Sequence, residues 1–130
     1  MLVTFQNIHI GQTYSRPRLA ALWGYSGYQA LARGVVTPRG ENIIILFVTE
    51  EKQSFQEQYK DKLTGNVLKW EGPTDHFAEN RMIIACDNDD EIHVFHRIRH
   101  HSDFTYLGKA TVENVELNIG NSSNFRLRIL

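Results

Sequence analysis

Six consecutive apolar residues, Ile43-Ile44-Ile45-Leu46-Phe47-Val48, constrain this chain more than any other feature. The run is rich in β-branched side chains and too short for a typical helix. A segment apolar at every position reads as a strand buried on both faces. Further strand signals follow it. Tyr59 to Leu63 and Val67 to Trp70 flank Thr64-Gly65-Asn66, the pattern of a hairpin. Glu91 to Ile98, Phe104 to Gly108, Lys109 to Leu117 and Phe125 to Leu130 read as four more strands, and the alternation from Leu2 to Ile10 suits an opening one.

Helical signals are concentrated near the N-terminus. Ser15 is placed to cap a helix with Pro17 in its first turn and Leu19, Ala20, Leu22 and Trp23 as its apolar set, ending at Gly24. Ser26 and Gln29 have capping-box spacing for a second short helix through Ala30, Leu31 and Ala32, with Gly34 as its C′ residue. Gly72-Pro73 breaks the chain, residues 75–86 suit a short helix with Phe77, Met82 and Ile83 inward, and Asp87 to Asp90 form an acidic turn. About six short strands in one chain most naturally curl until their edges meet. The expected fold is therefore α+β, a small curved β-barrel with short N-terminal helices, spanning residues 1–130 as one domain.

A chain of 130 residues can bury one core without disulfide or metal support, and is too short for a Rossmann enzyme with a second domain. No apolar run approaches the ~20 residues of a membrane span. The N-terminus lacks a basic region and a small-residue cleavage site, so a cytoplasmic protein is expected. One cysteine, Cys86, excludes an intramolecular disulfide. The net charge is -1, yet residues 1–40 hold Arg16, Arg18, Arg33 and Arg39 and no acid. Such asymmetry favours a polyanionic partner at one face, although arginines solvated on helix faces give the same pattern.

Candidate sites follow from residue chemistry. Trp23-Gly24-Tyr25-Ser26-Gly27-Tyr28 interleaves aromatics with glycines beside Arg16, Arg18 and Arg33, which suits base stacking with phosphate pairing. Trp23 equally suits a plug for the barrel end. The same stretch loosely matches a helix-turn-helix, against which stand its short second helix and the sheet that follows. Tyr59 and Asp61 lie across the hairpin from Trp70 and Glu71. Aromatic faces beside carboxylates can hold a flipped base, the carboxylate accepting from an exocyclic amine; a plain cross-strand aromatic pair is the alternative. The base-pocket candidates are thus Tyr59, Asp61, Trp70, Glu71, Tyr28 and Trp23. Arg97, Arg99 and His100, near His93, His96 and His101, join Arg16, Arg18 and Arg33 as phosphate-binding candidates. His93 and His96 point to opposite faces of a strand, so neither a metal nor any other cofactor is expected. No catalytic motif stands out.

The segments YSRPRLAALWGYSGYQALARGVVTP, IILFVTEEKQ, YKDKL, WEG and HHSDFTYLGKA, in that order, resemble an uncharacterised-domain family of prokaryotic type IV restriction proteins. Those domains are appended to phospholipase-D/helicase enzymes and to some HNH nucleases. The resemblance spans roughly Thr13 to Val112, with GYQALARGVVTP its most specific piece. It implies kinship with the SRA, EVE and PUA group, compact barrels that read modified bases. The implied function is detection of double-stranded DNA carrying methylated or hydroxymethylated cytosine, with cleavage by a separate nuclease or helicase domain or partner. The group includes RNA-binding and RNA-cleaving cousins, so a small ribonuclease is the alternative, and a protein-interaction domain a third.

Overall fold

The computed structural model describes residues 3–51, 61–118 and 120–130. Its elements run β1 (Thr13–Tyr14), α1 (Arg16–Leu22), β2 (Val35–Val36), β3 (Ile43–Thr49), β4 (Lys62–Thr64), β5 (Val67–Glu71), α2 (Glu79–Ile83), β6 (Glu91–Arg97), β7 (Phe104–Glu116) and β8 (Asn124–Ile129). The apolar run is β3, the second strand of one sheet ordered β2-β3-β6-β7-β8-β5-β4, with β1 also paired to β7. β3 and β6 are parallel and all other pairs antiparallel. Ile44, Leu46 and Val48 face one apolar cluster while Ile45 and Phe47 face another, so β3 is covered on both sides.

The sheet does not close into the expected barrel. Among the described residues, β2 and β4 each pair with a single neighbour. These edges are two and three residues long, and short edge strands limit unwanted pairing without closure. The two strands expected between Phe104 and Leu117 are one strand of 13 residues. Gly108 carries the bend with φ of +95°, where a Cβ would stand 3.0 Å from Ile10 Cδ1, and the β6 register shifts opposite it between Val94 and Phe95.

The N-terminal helix forms as expected. Ser15 Oγ accepts from the Arg18 N–H at 3.2 Å, and Gly24 leaves the helix at φ +78°. The second helix is instead a single 3-10 turn, Tyr28–Leu31, with Gly27 rather than Ser26 at its N-cap and no side-chain cap bond. One turn supplies no recognition helix. Gly34 is not a C′ residue either; its carbonyl accepts from the Phe47 N–H at 2.9 Å. Residues 3–12 form turns rather than a strand, with Val3 and Ile8 buried and Phe5 stacked on His93 at 3.6 Å. In α2, Met82 is buried and Phe77 packs beside it, but Ile83 is exposed.

One polar pair fastens α2 to the sheet. Arg81 donates from Nε and a terminal nitrogen to the two Asp90 carboxylate oxygens at 3.0 Å each, and to the Glu41 carbonyl at 2.7 Å. The Asp90 side chain is fully buried and Arg81 partly so. Removing Asp90 strands a cation, so Asp90→Ala is expected to cost about 3 kcal/mol, the lower end for a buried pair because Arg81 reaches solvent. The Arg81 hydrogen bonds, opposed by burial and helped by Asn88, hold the Asp90 carboxyl below its ordinary value. The stabilisation is therefore complete above the unfolded value near pH ~4 and is lost as pH falls through the lower folded value. Denaturant midpoints measured against pH should show a shallower acid limb in Asp90→Asn.

Candidate nucleic-acid interface

A cleft of about 470 Å³ opens at the unclosed seam, between the β2–β3 side of the sheet and the β4–β5 hairpin. That volume lies in the range of small-ligand sites. Its floor includes Val35 and Phe47, and the cations stand along one side. Ser15 capping starts α1 at Arg16, whose Nε donates to the Leu31 carbonyl at 2.6 Å. The Arg16 guanidinium lies over the rings of Phe47 (4.7 Å) and Phe104 (4.9 Å). Arg97, at the end of β6, lies over Phe104 at 4.2 Å and donates to Thr49 Oγ1 at 2.8 Å and the Ser102 carbonyl at 3.0 Å.

Two arginines therefore share one aromatic ring, and among the described residues neither is paired with a carboxylate. Burial first, and the Arg97 charge second, pull the Arg16 guanidinium down to about 10, so it stays charged at neutral pH. Burial also lowers Arg97. His100 lines the same cleft. Two adjacent cations with little compensation leave this side of the cleft positively charged.

Acids stand on the facing side. Asp61 precedes β4, and its Oδ1 accepts from the Glu71 N–H at 2.8 Å, which fixes the carboxylate relative to the hairpin. Trp70 and Glu71, ending β5, and Gly72-Pro73 complete this wall. Trp70 is 5% exposed and packs on Phe125 at 5.2 Å, so it is a core residue that also borders the cleft.

The structure thus brings together Arg16, Arg97 and His100 with Asp61, Trp70 and Glu71. The other described candidates do not line the cleft. Trp23 lies in the interior, the alternative reading of it: it is 2% exposed, its indole N–H donates to the Thr4 carbonyl at 2.9 Å, and its ring meets Phe95 edge-on. Tyr28 is exposed on the 3-10 turn. Arg18 lies over Tyr14 at 4.9 Å. Arg33, at the rim between cleft-lining Ala32 and Gly34, lies over Phe77 at 4.2 Å and pairs with Asp75 at 3.1 Å. The Phe77 N–H, ahead of Arg33, lowers the Asp75 carboxyl. Arg99 is exposed, 4.0 Å from Glu51. Tyr59 lies outside the described residues.

Sequence reasoning missed Phe47, Phe104, Thr49 and Pro73 as parts of the site. Gly72-Pro73, a chain break beside Trp-Glu, was the signal available for one wall; nothing local announces that Phe104 lies between two distant arginines. The histidines have other partners. His93 is buried, with its Nδ1 2.7 Å from the Tyr106 hydroxyl and its Nε2 3.1 Å from Glu91, and burial lowers its pKa. His96 Nε2 lies 2.5 Å from Glu50 Oε2. Among the described residues no group of three or more His, Cys, Asp or Glu side chains could hold a metal, and no helix is long and apolar enough to cross a membrane.

An open, strongly bent sheet with helices beside its first strands and a cleft at the seam is an SRA-like fold. Solved structures of the SUVH5 SRA domain share it. The complex with methylated CHH DNA superposes with a TM-score of 0.62 at 16% identity, covering 100% of this chain and 94% of that one. The complex with fully methylated CG DNA gives 0.62 at 15% identity and the hemimethylated CG complex 0.60 at 17%, each with the same coverage. No family model matches the sequence, and no curated protein matches it.

Proposed function

We propose that this chain is a non-catalytic DNA-binding module that takes an extruded, modified cytosine into the seam cleft. The observation that carries this reading is the polarity of the cleft: Arg16 and Arg97, unmatched by carboxylates, on one side and Asp61 and Glu71 on the other. A nucleotide has the complementary polarity. Its phosphate suits the two guanidiniums, and the exocyclic N4 amine of cytosine suits a carboxylate acceptor. The SRA-like fold supports the reading, because its solved relatives are complexes with methylated DNA.

The magnitudes are consistent. Extrusion costs a few kcal/mol. Stacking returns roughly 1–3 kcal/mol, and a hydrogen bond to a charged group about 1.5–3 kcal/mol. A buried methyl adds about 0.8 kcal/mol, close to a fourfold preference for the modified base. The module serves a restriction or defence system in which a separate nuclease domain or partner cuts.

The test is a panel of one duplex carrying cytosine, 5-methylcytosine or 5-hydroxymethylcytosine, titrated with wild type and Asp61→Asn. The asparagine oxygen still accepts from the Glu71 N–H, so the fold is kept. We expect tighter binding of a modified duplex by wild type, and in Asp61→Asn a fall of that affinity, by about fourfold, to the level of unmodified duplex, which itself changes little. Equal affinity of wild type for all duplexes, or full preference in Asp61→Asn, would overturn the reading.

A further inference from the structure

The β4–β5–β8 part of the sheet has two faces of opposite character. Leu63, Leu68 and Leu127 are register partners on the inner, apolar face. On the outer face Lys62, Lys69 and Arg126 are directly opposite one another across the three strands. Arg128, two residues beyond Arg126, shares that face. All four are exposed.

Like charges directly opposite on neighbouring strands repel. Glu113 answers part of this charge, pairing with Arg126 at 3.5 Å and with Arg128. Lys62 and Lys69 face each other with no carboxylate partner among the described residues. A small hollow of about 260 Å³, lined by Lys69, Arg126, Trp70 and Glu71, continues this face toward the cleft, which Trp70 and Glu71 also border.

We propose that the row Lys62–Lys69–Arg126 is a second DNA-backbone contact, seating the duplex beside the cleft that receives the base. Strands about 4.8 Å apart set the three cations across roughly 10 Å. One DNA strand presents a phosphate about every 3.4 Å of helix axis, so about three fall within that span. The proposal rests on the reading of the cleft as a DNA site, and it names a surface distinct from the Arg16–Arg97 pair.

The experiment is fluorescence anisotropy of matched modified and unmodified duplexes over a salt series. It compares wild type with the triple variant Lys62→Gln, Lys69→Gln and Arg126→Gln. The expected result is a slope of log affinity against log salt shallower by up to about 2.7, with the ratio between modified and unmodified duplex unchanged. The charge-keeping variant Lys62→Arg, Lys69→Arg and Arg126→Lys should retain the wild-type slope, and the melting temperature of each variant reports its folding. An unchanged slope in the folded glutamine variant, with base preference intact, overturns the strip and leaves the cleft reading standing. A shallower slope in a protein without base preference does the reverse. A wild-type protein that binds neither duplex overturns both.

Discussion

Trp70→Ala is expected to lower the stability of the free protein by about 3–5 kcal/mol, a large share of the 5–15 kcal/mol available to a typical domain. Trp70 is almost wholly buried, packs on Phe125, and belongs to the same apolar cluster as Leu68 and Leu127. Truncation removes most of a large aromatic and leaves a cavity at the cleft wall. Denaturant unfolding followed by circular dichroism measures the loss; less than about 1 kcal/mol would mean that the ring serves the cleft more than the core. Because DNA affinity would fall with the folded fraction, the gentler Trp70→Phe is the variant that tests stacking. It should keep the fold and weaken the preference for modified duplex.

The second large effect concerns affinity. In the variant Arg16→Gln with Arg97→Gln, every duplex, modified or not, is expected to bind more weakly. Each lost charge-assisted contact is worth about 1.5–3 kcal/mol, and the salt slope should fall by about 1.8 for the two. The ratio between duplexes should hold, since phosphates carry no base identity. Anisotropy at several salt concentrations reads both quantities. A variant that loses only the ratio would place the base, rather than the phosphate, against these guanidiniums.

Much of the local structure was legible because local physics decides it. The Ser15 cap, the Ile43–Val48 strand and the Gly65-Asn66 turn each depend on a few adjacent residues. The openness of the sheet was not, because closure depends on whether β2 and β4 meet, and no short-range pattern encodes that meeting. Nor was the continuity of β7 through Gly108, where a glycine that usually punctuates a strand instead bends one. The proximity of Asp61 to Glu71 follows from the hairpin alone. Arg16 and Arg97 were chosen only as separate cations, since their convergence over Phe104 is a product of the tertiary fold. Trp23 stayed ambiguous in the sequence for a related reason: aromatics between glycines look available until the N-terminal turns fold over them.

Among the described residues, the hairpin that carries Asp61, Trp70 and Glu71 pairs with the rest of the sheet through β8 alone. During synthesis, then, Arg16 and Phe47 emerge early, while their facing wall gains its strand partner only once residues 124–129 have left the ribosome. The pairing of β3 with β6, some forty residues later, adds a slow, long-range closure before that step. The cleft consequently matures later than either of its walls. A chain lacking β8 would carry both walls of the site without the strand that joins the hairpin to the sheet.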